Sequence, residues 1–406
     1  MKKNIFSWAC VLLISSLILP ACGTASSPTG TPASKLTRTN TPSRTIAPEP
    51  TSSPTPIYSL AQRDQVLEYI TSLSNAATFR GTISGQIAGS ADEIVDGAWY
   101  HGYRSMIEDL HTETGEWPGI LGEEYEWGHS FTPAQLSDSN KVLIDYARAG
   151  GIIMVTLTPL NPWYHDESDI VTTPGSWQGP ESALSAMPAE ASLDDLLDTT
   201  KPVHAAWMRK LDRIAGALQE LRDAGVVVLF RPMQEMNANW YWWGISSHLS
   251  DPGPYIRVYR AMHDYFTNEK GLDNLIWVYS PSSTHGNDTR STRFRTVDWN
   301  YPGDDIVDII AGTNYEDNMS IVDYSVYVTM GKPLGIAEYG PVDVSGKWDT
   351  SKIIQRIRND YPRIGFFVFM NSYPSSCWSL ITNRNADILL ADPLVINRDN
   401  LPWIIR

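Results

Sequence analysis

The chain has 406 residues and a formal net charge of −15 at pH 7. No basic surface can dominate such a molecule, which excludes a simple nucleic-acid binder. Aromatic residues reach 11%, with 15 Trp and 19 Tyr; such rings either fill a large core or stack on sugars or other flat apolar faces.

Lys2 and Lys3 precede an apolar run over residues 5–19, a signal-peptide pattern too short to span a membrane. Leu19-Pro20-Ala21-Cys22-Gly23 follows, and small residues before a cysteine resemble the lipobox of bacterial lipoproteins. Lipidation at Cys22 is expected, with the protein anchored on the outer face of the cell membrane; an ordinary signal peptide with a chance cysteine, and a secreted protein, is the alternative. Residues 23–57 are rich in Thr, Ser and Pro and hold almost no large apolar group, so they are expected to form a linker without a core. At ~3 Å per residue, proline-rich chain of this length reaches up to roughly 100 Å. With Cys10 in the leader and Cys22 lipidated, Cys377 stands alone, and no disulfide is expected.

Residues 58–406 are expected to form one domain. Strands are predicted over 82–86, 119–124, 151–158, 226–231, 275–279, 306–313, 333–337 and 364–370. Helical patterns lie between them, among them 193–224 with a break near Pro202, 254–270 and 350–360. Eight β-then-α units argue for a (β/α)8 TIM barrel, an α/β fold. A doubly wound sheet fits less well. No GxGxxG or GxxxxGK[ST] occurs, so a nucleotide site has little support. The histidines show neither HExxH nor paired ligand spacing, and neither a metal nor any cofactor is expected.

In such barrels the chemistry lies at the C-terminal ends of the strands. Glu235 follows the fourth predicted strand in VVVLFRPMQE, and Glu338 ends the seventh in KPLGIAE. Two carboxyls facing each other across the barrel mouth are what glycoside hydrolysis needs: one donates a proton to the leaving oxygen, and the other attacks the anomeric carbon. Arg231 is placed to pair with the nucleophile. The aromatics after Glu235 become platforms for pyranose rings, and Trp163 is a further loop candidate for that role.

At this point a family resemblance becomes specific. RPMQEMNANWYWWG resembles the RPxHEMNGxWFWWG stretch of glycoside hydrolase family 26, and KPLGIAEYG resembles that family's nucleophile strand. Further matches are ISGQ at 83–86, TGEWPGILGEEYEW at 114–127, LIWVYSP at 275–281 and GTNYED at 312–317. The resemblance implies a (β/α)8 fold and retaining hydrolysis of a β-linked polysaccharide, first of all β-1,4-mannan. It assigns Glu235 as acid/base, Glu338 as nucleophile, Tyr315 as the tyrosine near the nucleophile, and Trp240 as the substrate-contacting tryptophan five residues past the acid. Gln234 stands where the family has histidine, next to the sugar at the cleavage point. Thr156-Leu157-Thr158 replaces a Trp-His pair on the third strand, and Phe369-Met370-Asn371 stands where tryptophan is common on the eighth. These departures cluster where the sugar's identity is read and leave mixed-linkage β-glucan and β-1,3-xylan as alternative substrates. Phe369 is the expected substitute platform. A glycan-binding lipoprotein without turnover is the second class of function; the intact pair of glutamates favours the enzyme. The protein is expected to act as a monomer.

Overall fold

A computed structural model describes residues 60–75, 77–96, 102–127, 130–165, 179–248, 250–283 and 294–403. The leader, Cys22 and the linker lie outside the described residues.

Eight parallel strands close into a barrel: β1 (Gly85–Ser90), β2 (Ile120–Glu126), β3 (Ile152–Leu157), β4 (Val228–Pro232), β5 (Leu275–Tyr279), β6 (Ile309–Asn314), β7 (Leu334–Tyr339) and β8 (Ile364–Phe369). Each pairs with its sequence neighbour, and Gln86 of β1 against Phe369 of β8 closes the ring. All eight lie close to their predicted positions. The sixth starts later than expected because Asp308, at its approach, is occupied elsewhere. Its carboxylate accepts from Trp277 N and pairs with Arg63, so the preceding residues form a turn. The predicted first strand is divided. Thr82–Ile83 pairs with Val395–Ile396, Ile83 also lies against Phe366 of β8, and the ladder to β2 begins at Gly85.

Strand alternation sorts the side chains. Ile87, Ile120, Met154, Leu229, Ile276, Ala311, Ala337 and Val368 fill the barrel interior. Leu121, Val155, Phe230, Trp277, Ile336 and Phe367 face outward against the helices. Helix α1 (Leu60–Ser74) closes the N-terminal end. Its Val66, Ile70 and Leu73 join the interior cluster, Arg63 donates to Leu275 O, and Ser74 Oγ accepts from Leu334 N. The C-terminal end is left for chemistry.

Local signals place the outer helices. α2 (Pro133–Arg148) begins with proline at its first turn and a capping box in which Thr132 and Gln135 satisfy each other's backbone N–H. The expected break near Pro202 is present: a short 3₁₀ turn, Leu193–Leu196, precedes α3 (Pro202–Asp223). The pattern over 254–270 resolves into α4 (Gly253–His263) and a π-helical turn, Asp264–Glu269. α5 (Lys352–Asp360) faces Ile353, Ile354 and Ile357 inward.

Candidate active site

The inward alternation of β4 sets Leu229 and then Arg231 inside the barrel, with Arg231 at the upper end and fully buried. Its Nη1 lies 2.8 Å from Glu338 Oε2, and its Nε donates to Ser280 Oγ at 2.8 Å. The expected pairing of Arg231 with the Glu338 carboxylate is therefore present. Tyr315 OH donates to the other carboxylate oxygen, Oε1. A guanidinium and a phenol thus hold Glu338 in one orientation, with 7% of its surface exposed.

Past β4 the backbone turns sharply. Met233 and Glu235 both adopt left-handed conformations, at φ 49° and 57°. For residues other than glycine this costs about 1–2 kcal/mol each, and the surrounding bonds hold it in place. Glu235 N donates to Ser280 O at 2.7 Å. Asn237 bridges Ser282 through both its amide groups. The turn presents the Glu235 carboxyl to the barrel axis. There Trp240 Nε1 donates to Oε2 at 2.6 Å, and Thr313 Oγ1 of β6 donates to Oε1. Thr313 is the ladder partner of Glu338, so the two glutamates meet around one pair of strands.

Their surroundings differ. Burial pushes the Glu235 carboxyl up to about 7, and the negative charge of Glu338 adds to it; Thr313, Arg231 and Trp240 act in the opposite direction. Burial raises the Tyr315 phenol well above its ordinary range, reinforced by Glu338, so it remains a donor.

The aromatic run after Glu235 divides by role. Only Trp240 contacts the carboxyl, with its ring edge against Phe294. Tyr241, Trp242 and Trp243 are buried. Trp242 Nε1 donates to Pro159 O, Trp243 Nε1 donates to Gln234 O, and Tyr241 stacks on Trp243 at 4.3 Å. These three rings are scaffold rather than platforms: they hold the loop that carries Glu235.

Gln234 is buried behind Glu235 and donates from Nε2 to Thr158 Oγ1 at 2.7 Å. Two of the sequence departures therefore contact each other. Trp163 packs edge-on against Trp242 at 5.8 Å, at the margin of the outer core, and no contact joins it to either glutamate. Phe369 is not a platform. β8 turns Phe367 and Phe369 outward, and Phe369 is fully buried against Tyr339 and Trp348. The period of two makes its neighbour Met370 the inward residue.

Two residues at the site, Thr313 and Glu124, escaped the sequence reading, and Trp378 reads there as one loop tryptophan among several, behind Trp163. Thr313 lies within the quoted GTNYED, but a lone threonine carries no signal. Glu124, buried at the end of β2, joins Glu235 and Glu338 in raising the Tyr241 hydroxyl, which burial raises first. Its inward position followed from alternation after Ile120 and Gly122. Trp378 approaches Tyr315 at 5.5 Å and Tyr373 at 6.1 Å, and Tyr373 OH accepts from Trp127 Nε1. Gly340 permits this approach: a Cβ there would lie 2.6 Å from Tyr315 and 2.9 Å from Trp378. Through Tyr315, an aromatic wall therefore stands beside Glu338.

A closed (β/α)8 barrel bearing a clamped carboxylate and a second carboxyl held near neutrality at its C-terminal mouth has the construction of a glycoside hydrolase. The sequence profile of glycosyl hydrolase family 26 matches residues 59–400, and the chain belongs to that family. It is 32% identical over 348 residues to a mannan endo-1,4-beta-mannosidase A and B of Caldalkalibacillus mannanilyticus, covering 83% of this chain and 61% of that relative's length. It is also 32% identical over 317 residues to a mannan endo-1,4-beta-mannosidase of Bacillus subtilis strain 168, covering 75% and 80%. The solved structure of Bacillus subtilis mannanase man26 superposes with a TM-score of 0.69 at 26% identity, covering 87% of this chain and all of that one.

Proposed function

We propose that this protein is a retaining endo-β-glycanase whose substrate is β-1,4-mannan. The observation that carries the reaction is the asymmetry of the two glutamates. Glu338 is fixed by Arg231 and Tyr315 as an anionic nucleophile; Glu235 is buried, near neutrality, and able to hold a proton. In the first step Glu338 attacks the anomeric carbon while the Glu235 proton passes to the departing glycosidic oxygen, whose bond to carbon breaks. In the second step Glu235 takes a proton from water, and water displaces Glu338 from the sugar. Formation of the glycosyl ester removes the charge of Glu338, which lowers the proton affinity of Glu235 when it must act as a base.

Mannan as substrate rests on the relatives that match most of the chain. The buried Gln234–Thr158 pair supports a second reading, in which gluco- or xylo-configured β-glycans are also accepted. A polar pair that reads one hydroxyl discriminates strongly, because the wrong sugar leaves buried groups unpaired. Reducing-sugar release from β-mannan, mixed-linkage β-glucan and β-1,3-xylan tests both. Release from mannan above the others supports the first reading, preference for either other polymer supports the second, and release from none refutes the enzyme. Proton NMR of the first product must show the β-anomer; an α-anomer refutes retention.

The lipobox supports attachment outside the cytoplasm through Cys22. One acyl chain binds a bilayer only marginally, so stable anchoring requires more than one. Cys22→Ala or globomycin treatment is expected to leave a precursor or a released form. Unchanged membrane retention and mobility refute the anchor.

A further inference from the structure

We propose that Thr313 is a positioning residue of the reaction, one that fixes which oxygen of Glu235 carries the acid proton and then holds the carboxylate left behind. This rests on the acid/base role proposed for Glu235.

The geometry begins with a bulge. Along the β6–β7 ladder Gly312 pairs with Ile336, and the next pair is Thr313 with Glu338, so the register slips by one residue. Gly312 is needed there, because a Cβ would collide with Ser283 Oγ and Tyr327 OH. Alternation from Ala311 turns Thr313 toward the barrel axis, and the slip, which gives β7 one extra residue at Ala337, sets Glu338 beside it; the Thr313 hydroxyl meets Glu235 Oε1. The backbone of Thr313 is held on both sides: its N–H donates to Pro281 O at 3.0 Å, and its C=O accepts from Ser283 N at 2.9 Å. The side chain is fully buried. This hydroxyl is therefore part of a fixed frame.

The two oxygens of Glu235 face different chemistry. Trp240 Nε1 is 2.6 Å from Oε2, and an indole N–H only donates. A proton on Oε2 facing that N–H would set two hydrogens against each other. The acid proton is thereby directed to Oε1, beside a hydroxyl that accepts as readily as it donates. When Glu235 is protonated, Oε1–H donates to Thr313. When the proton leaves for the glycosidic oxygen, the bonding pair to carbon departs with that oxygen, and the Thr313 hydroxyl turns to donate to Oε1. Water returns a proton to Oε1 in the second step, and the hydroxyl turns back. The other titratable or charged groups bearing on Glu235 are Glu338 of β7, Arg231 of β4, Tyr241 and Tyr315.

The experiment compares wild type with Thr313→Val and Thr313→Ser. Valine keeps the shape and removes the hydroxyl, whereas serine keeps the hydroxyl. The proton affinity of Glu235 is read without turnover, from the pH dependence of the Trp240 indole ¹H–¹⁵N resonance, assigned with Trp240→Phe. The alkaline limb of kcat/KM gives the kinetic counterpart. A hydrogen bond to a charged group is strong enough that its loss should raise the midpoint by about one pH unit in Thr313→Val, with Thr313→Ser close to wild type. A Thr313→Val midpoint equal to wild type overturns the proposal, as does a serine variant displaced as far as valine. Failure of the acid/base reading is distinct: wild type would then release no sugar from any β-glycan, while the indole titration would still report the Thr313 contact.

Discussion

Replacing Glu338 with glutamine should lower the proton affinity of Glu235, because one of the two causes raising it is the charge that the substitution removes. Burial acts first and Glu338 second in bringing the Glu235 carboxyl to about 7. At the ~5–5.5 Å expected of a retaining pair, and with an effective dielectric of ~20, one charge costs the ionised partner about 3 kcal/mol, or roughly two pH units. Glutamine keeps the size of the side chain and one oxygen acceptor, which serves either Tyr315 or Arg231 but not both. Burial remains in the variant, and so do the opposing contacts from Thr313, Arg231 and Trp240. The Glu235 midpoint is therefore expected to fall by about one to two pH units. The Trp240 indole again supplies the measurement, since it donates directly to Glu235 Oε2 and needs no turnover. An unchanged midpoint in Glu338→Gln would refute the electrostatic coupling on which the switch between acid and base depends. A rise would mean that Arg231, freed from Glu338, had withdrawn from Glu235.

The two glutamates should differ as alanine variants. Glu338→Ala should abolish turnover on every substrate, while Glu235→Ala should retain the first step on aryl glycosides with good leaving groups, show a burst, and yield a β-glycosyl azide when azide is added; stopped-flow absorbance and product NMR check this. Arg231→Met leaves the buried charge of Glu338 without its cation and should lower stability by about 3–5 kcal/mol in urea unfolding, with loss of activity. Glu123 points from β2 into the helix layer, where burial raises its carboxyl to about 8 against one hydrogen bond from Ser139. Its folded value lies above the ordinary one, so its contribution to stability is complete below about 4.5 and is lost as pH rises through about 8. Glu123→Gln should therefore gain on wild type between pH 5 and pH 9, by up to roughly 4–5 kcal/mol; unfolding curves that stay parallel across that range would refute the buried neutral carboxyl.

Much of the frame was legible in the chain. Each apolar strand run is short and flanked by turn residues, and the alternation within VVVLFRP already placed Arg231 inward, because successive side chains in a strand point to opposite faces. Glu235 and Glu338 were legible for the same reason, as carboxylates ending strands that must otherwise be buried. The run Trp240 to Trp243 was only half legible. Composition showed an aromatic cluster, but which ring faces the carboxyl depends on two left-handed residues, Met233 and Glu235, that no propensity specifies. Phe369 was misplaced because its face depends on where β8 ends relative to its neighbours. Thr313 was invisible because alternation after Ala311 turns it inward without saying what its hydroxyl meets there; only the turn after β4 brings Glu235 to it. Local pattern determines which residues are buried, whereas register, bulges and backbone turns arise from pairing distant segments. The tertiary structure alone therefore decided which buried polar groups touch.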